Sequence, residues 1–326
     1  MVGLTVNLLE VEVMTLPGGD GRFAATAADR RGIRELSHSA KTNMTRALNP
    51  LLNWRPGLKD GAEVLLLGLA LPIYYLVRGQ VEERVGEAIN RGVDVATLEQ
   101  NLGIFWEVQL QRAILDYGWL VDALNAFYLY GHLPLIGALA VWLYLWHRPQ
   151  YLVMRNAFLV SGAIALVIYL NFPTAPPRLL PEHFGFGFAD TIFDQYGHER
   201  PLTPNFFVNQ YAAMPSMHFG WNMLVGLAIW LSTRNIFVRA LAVLMPLAMF
   251  TDIILTANHY LLDPIMAIPV VALGLAITLG GRWVVLRVLS PESKAAKEHG
   301  YTTWVYWLVG IDESSLDRPQ QATQTA

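Results

Sequence analysis

Met214-Pro215-Ser216-Met217-His218 opens the apolar run Phe219 to Leu231, and the rest of the chain is arranged around that junction. Proline suits the first position of a helix, because its missing N–H would be unpaired there anyway. With the helix beginning at Pro215, the N–H groups of Ser216, Met217 and His218 lack intrahelical partners. No Ser, Thr, Asp or Asn stands directly before Pro215 to cap them. A bare helix N-terminus is an anion site, and phosphate is a common occupant. Ser216 adds a hydroxyl donor and His218 a ring that titrates near neutral pH. Taken alone, the same residues describe any helix that starts with Pro-Ser, so their weight depends on what else reaches them.

Outward from this junction, the chain of 326 residues is 54% hydrophobic and only 15% charged, which points to a membrane protein, and membrane lipids rather than nucleic acid are the expected partners. Six apolar runs have near-spanning length: Glu63–Val77, Ala123–Trp146, Leu152–Leu170, Ala213–Leu231, Ile236–Ala257 and Ile265–Val285. The expected fold is therefore all-α, a polytopic membrane protein with six transmembrane helices. Between the first two runs, residues 78–120 place Val81, Val85, Ile89, Leu98, Leu102, Phe105 and Trp106 at helical spacing among Glu, Gln and Arg. Amphipathic helices on the membrane surface fit this pattern, and so does a helical hairpin packed on the bundle. There is no Cys, so disulfides, thiolate metal sites and a Cys nucleophile are excluded.

The expected organisation is an N-terminal segment, 1–60, a membrane domain, 61–290, with its long loop at 171–212, and a tail, 291–326. The first segment is basic, alternates loosely over Val2–Val13, and carries a chance glycosylation match at Asn43-Met44-Thr45. It lacks a signal-peptide pattern, so the first internal apolar run is expected to start insertion. Tyr301–Leu308 is an aromatic patch suited to an interface, and the tail from Asp312 is expected to be disordered. With six spans, the basic N-terminus, Arg148, Arg155, Arg234, Arg239, Arg282, Arg287, Lys294 and Lys297 fall on one side. That bias places both termini in the cytoplasm of a plasma-membrane protein.

The same topology sends Arg178, His218 and His259 to one extracytoplasmic face. Ionisable groups at membrane depth are expensive and usually functional. His259 and Asp263 are four residues apart, so on a helix the carboxylate holds one ring nitrogen's proton and turns the other outward. Such a His is a competent nucleophile or base. Asp263-Pro264 is equally what a helix N-cap and its first residue look like, and both readings stand at this stage. His132 reads as a hydrogen-bonded core residue. His183, His198, Asp190 and Asp194 read as a solvated loop, with binding a headgroup or capping the site as the alternative. Asn222, one turn after His218, and Asn258, beside His259, are secondary candidates for the site.

Arg178, Pro215-Ser216-x-His218 and His259-x-x-x-Asp263 resemble the three signature motifs of the type-2 phosphatidic acid phosphatase superfamily, over roughly residues 60–285. The stretch Leu98-Glu99-Gln100-Asn101-Leu102-Gly103-Ile104-Phe105-Trp106-Glu107 through Gln111, and Phe172-Pro173-Thr174-Ala175-Pro176-Pro177-Arg178, resemble the bacterial subgroup related to inositol phosphorylceramide synthase. The resemblance implies a six-helix core and phosphoryl transfer through a phosphohistidine. His259 is then the nucleophile, Asp263 its orienting partner, His218 the acid and base, and Arg178 and Ser216 the phosphate-binding groups. No cofactor and no metal are implied. The first motif's Lys is replaced by Asn171 and the Pro directly after its Arg by Leu179, while Asp252 and Ile253 stand where the third motif has Ser-Arg. Fewer cations suit a singly charged phosphodiester better than a dianionic phosphomonoester.

The expected function is a membrane phosphotransferase that moves a lipid-linked phosphate to an alcohol, with water as the alternative acceptor in a lipid phosphate phosphatase. A metal site on His218, His259 and Asp263 lacks a fixed short ligand spacing and has Arg178 nearby. A lipid or anion transporter is the alternative outside enzymes, and the sequence shows no internal repeat.

Overall fold

The computed structural model describes residues 49–50, 56–82, 84–192, 211–288 and 302–312. Val2–Val13, Asn43, Asp194, His198 and the tail after Asp312 lie outside them. The helices are α1 (Leu58–Glu82), α2 (Val85–Leu102), α3 (Glu107–Leu115), α4 (Gly118–Ala126), α5 (His132–Trp146), α6 (Arg148–Asn171), α7 (Met217–Ser232), α8 (Ile236–Leu255), α9 (Leu262–Val288) and α10 (Thr302–Leu308). Phe127–Gly131 joins α4 to α5 as a widened π-type turn. The described residues contain no strand, only an isolated bridge between Thr174 and Ala212.

Local chemistry explains the boundaries. The Asn235 side chain accepts the N–H of Phe237 at 2.9 Å and starts α8. Gly103, at φ 70°, ends α2 in a left-handed conformation that costs glycine least. Pro149 sits in the first turn of α6, where its missing N–H is harmless.

Four helical stretches are long and apolar enough to cross a membrane: Gly118–Trp146, Arg148–Asn171, Ile236–Leu255 and Leu262–Val288. Their outward faces carry Val141, Val167, Leu244, Leu247, Leu273 and Ile277, all exposed. With no water inside a bilayer, helices satisfy their backbone internally and can present such faces to lipid. The other two expected spans are not among these four stretches of the described residues. At 16 residues, α7 is short. Helix α1 runs from 58 to 82 where the sequence suggested 63 to 77, and its charged residues, Lys59, Asp60, Glu63, Arg78 and Glu82, lie toward its two ends.

The core lies between α6, α7 and α9. Small residues bring these helices close, as expected where dispersion contacts drive association. A Cβ on Gly274 would come within 2.9 Å of Ser161 N and 3.0 Å of Ala157 O. The buried side of helices α2 and α3 mixes Ala88, Gly92, Ala96, Val108 and Ile114 with the polar Glu99, Glu107 and Gln111, while Leu98, Leu102, Trp106 and Leu110 are exposed. The helical period was legible, but part of the apolar set faces outward while three polar side chains face the bundle.

At the end of the bundle where α5 and α6 join, α10 docks through a buried ionic cluster. Glu63 accepts from Arg155 Nη1 at 2.6 Å, from Tyr151 at 2.7 Å and from Trp307 Nε1 at 2.9 Å. Arg155 Nη2 also donates to the Trp307 carbonyl at 2.7 Å. Tyr306 and Trp307 are buried, so this patch is a clasp more than an interface, and Trp304 alone of its tryptophans is exposed. Arg155→Met strands the buried Glu63 carboxylate and is expected to cost about 3–5 kcal/mol. Thermal unfolding of the purified protein in detergent should show it, and Glu63→Leu added to Arg155→Met should recover much of the loss.

Candidate active site

The site is assembled where α6 ends, α7 and α9 begin, and α8 stops. Backbone contacts tie these termini together. Thr174 N donates to Tyr211 O at 2.9 Å, Ala213 N to Thr174 O at 3.1 Å, and Arg178 N to Ala257 O at 3.0 Å. Met214-Pro215 is a cis peptide. Helix α7 starts at Met217 with Ser216 as its N-cap, two residues later than the proline suggested. The Ser216 N–H is consequently used, donating to Asp263 O at 3.0 Å, and the first intrahelical bond runs from Gly220 N to Ser216 O. No side chain caps the end of α7. Met217, His218 and Phe219 thus supply the helix-terminal N–H groups. The Ser216 hydroxyl is buried without a hydrogen-bond partner, as a group awaiting a ligand oxygen would be.

His259 is 2% exposed and its protonation is decided by its neighbours. Nδ1 lies 2.9 Å from the Ala213 carbonyl and 3.0 Å from Asp263 Oδ2. A carbonyl can only accept, so Nδ1 carries the proton and Nε2 keeps its lone pair. Nε2 faces His218 Nδ1 at 3.4 Å. Asp263 lies within the first turn of α9, not ahead of it. Its Oδ2 also accepts the Tyr260 N–H at 2.9 Å. Of the two sequence readings of Asp263, the pair with His259 is the one seen and the N-cap is not: Oδ2 holds both the imidazole and the turn before α9, and Oδ1 is buried with no partner.

Arg178 is buried on the 3-10 turn Pro177–Leu179. Its Nε donates to Asn258 Oδ1 at 2.8 Å, and its Nη1 contacts Asp190 at 3.1 and 3.3 Å. Asn258 in turn donates to Thr256 Oγ1 at 2.8 Å. Arg178 is therefore held against the residue that precedes His259. Asp190 is not a solvated loop residue: its side chain is 19% exposed and paired with Arg178. His183 does remain in a surface turn, stacked on Phe184 with ring centroids 4.3 Å apart.

The remaining candidates divide. Asn222 is buried and donates to the His218 carbonyl at 2.6 Å, one turn along α7. Asn171 is exposed, and its amide donates to Val167 O of its own helix at 2.7 Å. Among the described residues it makes no contact with the imidazoles. Asp252 is fully buried with neither oxygen hydrogen-bonded. Two aromatic groups were missed. The π-type turn brings Tyr128 within 4.6 Å of the His218 ring and His132 within 4.7 Å, centroid to centroid. His132 is buried and bonded to the backbone of Phe127 and Tyr128, as a core histidine would be, with Nδ1 unpaired. A histidine inside an apolar run was the available signal; the widened turn that aims it was not. No group of three or more His, Asp or Glu among the described residues is arranged to hold a metal ion.

These features define an α-helical membrane protein with two facing imidazoles, a buried carboxylate and a guanidinium at one end of its bundle. A family model described as the PAP2 superfamily matches residues 93–277, more than half of the chain, and the protein belongs to that superfamily. Phosphatases and phosphotransferases make up that superfamily generally. No curated protein and no solved structure matches the chain.

The hydrogen-bond pattern predicts the resting tautomer. In ¹⁵N spectra of histidine-labelled protein, His259 should show a protonated Nδ1 and a bare Nε2. Asp263→Asn should leave that tautomer in place, because Ala213 O still accepts; a protonated Nε2 in either protein would contradict the assignment.

Proposed function

We propose that the protein transfers a phosphoryl-containing group from a lipid phosphodiester to an alcohol through a phosphohistidine on His259. The supporting observation is the fixed proton on His259 Nδ1, which leaves Nε2 as an oriented, unprotonated nucleophile. Nε2 attacks phosphorus, and the bond from phosphorus to the leaving oxygen breaks as His218 gives that oxygen a proton. The acceptor hydroxyl then loses its proton to His218 and attacks the phosphohistidine, which returns His259 to its resting state. The two rings meet at 3.4 Å with no room for phosphorus between them, so substrate must part them first. Arg178, the Ser216 hydroxyl and the α7 N–H groups hold the phosphoryl oxygens, and fixed dipoles supply the stabilisation. No metal ion takes part.

The preference for a diester follows from charge. Asn171 stands where a cation would be expected and turns away from the site. Asp190 offsets much of the one guanidinium that is present. A single negative charge on the donor fits this balance better than two. In the membrane, α1 and α7 complete six spans within residues 61–290. The site faces the extracytoplasmic side, where α2 and α3 lie at the interface, and segments 1–60 and 291–326 are cytoplasmic.

Turnover of dioctanoyl phosphatidylinositol, a diester, and dioctanoyl phosphatidic acid, a monoester, tests the reading. The wild type should consume the diester faster, with a chelator leaving the rate unchanged, and His259→Ala should consume neither. Asp190→Asn should shift the ratio toward the monoester by roughly tenfold, about 1.4 kcal/mol. Full activity in His259→Ala would overturn the mechanism. Loss on chelation would favour a metal enzyme, and phosphate release from the monoester alone would mark a phosphatase.

A further inference from the structure

We propose that Glu99 and Glu107 are positioning residues that aim the His259–Asp263 pair from outside the reacting shell. The inference rests on the role just given to His259. Glu99 ends α2 and Glu107 begins α3, and both are 0% exposed. Each uses one oxygen on the first residues of α9 or the turn before it. Glu107 Oε1 accepts the Leu261 N–H at 2.7 Å, and Glu99 Oε1 accepts the Leu262 N–H at 2.7 Å. These are helix-terminal donors, which need acceptors when buried. The second oxygens, Oε2 of each, have no N–H or O–H partner. Two carboxyl groups buried near one another disfavour a second charge, and Glu107 raises Glu99 in this way.

The carboxyl pair holds residues 261 and 262, while Asp263 is the next residue and His259 lies two before. Tyr260 is locked from the same side: its hydroxyl donates to Ala175 O at 3.0 Å, and Ala175 N donates to Ala88 O of α2 at 2.9 Å. Gly92 makes this approach possible, because a Cβ there would lie 2.8 Å from both Ala175 O and the Tyr260 hydroxyl oxygen. Helix α2 therefore registers the Arg178 segment and the His259 segment against each other. Burial, with Glu107 beside it, pushes Glu99 up to about 9. The groups facing it are Glu107 from α3, Asp263 from α9 and Tyr260 from the turn. Burial likewise holds the Tyr260 phenol well above its ordinary range, so it stays a donor. Because the Glu99 value is raised, the protonated arrangement persists through neutral pH and is lost as pH rises past about 9, when a second charge appears beside Asp263.

The test measures orthovanadate binding, a mimic of the phosphoryl group in transfer, to the full chain in detergent. Hydrogen exchange of the 257–264 peptide is followed in parallel. Glu99→Gln can donate to Glu107 and accept from Leu262, so its affinity should stay within about threefold of wild type. Glu99→Leu strands a backbone N–H and a carboxylate; it should weaken vanadate at least about tenfold and speed exchange at 257–264. Between pH 7 and 9.5 the affinity of Glu99→Gln relative to wild type should rise at least about threefold, since only the wild type gains the second charge. The ratio cancels the titration of vanadate itself. Wild-type affinity and slow exchange in Glu99→Leu, or a flat ratio across that range, would overturn the positioning role. Undiminished vanadate binding by His259→Ala, or none by the wild type, would instead overturn the nucleophile assignment. The exchange rates of Glu99→Leu would still decide whether the carboxyl pair orders the turn.

Discussion

One N–H holds this site together. The proton on His259 Nδ1 is shared between Ala213 O, just before α7, and Asp263 Oδ2, in the first turn of α9. That donor links the end of α8, the approach to α7 and the start of α9, and it settles which ring nitrogen is basic. The same carboxylate oxygen takes the Tyr260 N–H, so imidazole and turn move together. Removing bulk water from around this group strengthens each contact and makes an unpaired partner costly.

The bundle supplies what this arrangement requires. Close packing of α6, α7 and α9 through Gly220 and Gly274 brings three helix ends to one place. The shortened start of α7 spends the Ser216 N–H on the Asp263 carbonyl and leaves the hydroxyl unpaired. On the far side of the turn, α2 and α3 replace the water that the N-terminus of α9 would otherwise bind with two glutamates. The clasp of α10 on Glu63 and Arg155 sits at the opposite end.

Much of this was legible in the residues themselves. His218, His259, Asp263 and Arg178 stand at spacings that only a convergent topology explains, and the apolar runs located the helices to within a few residues. What escaped depended on contacts between remote segments. Pro215 was read as the first helical residue because a local rule favours it, yet the chain turns at Met214-Pro215 and the helix waits until Met217. Glu99 and Glu107 belonged to a recognisable motif, but their partners lie more than 150 residues away. Asp190 carries nothing in its neighbours to announce Arg178. His132 was visible as a histidine among apolar residues, and only the π-type turn at Phe127–Gly131 decides that it meets His218.

The most direct test is to trap the covalent state. Purified protein is mixed with a ³²P-labelled lipid phosphodiester, quenched in alkali, where phosphohistidine survives, and digested for peptide mapping. Label on the peptide that contains His259, formed faster than product appears and absent when Asp263 is replaced by Ala, is the expected result. Turnover without any protein-bound label, or label on His218 instead, would contradict the assignment of His259 as the nucleophile.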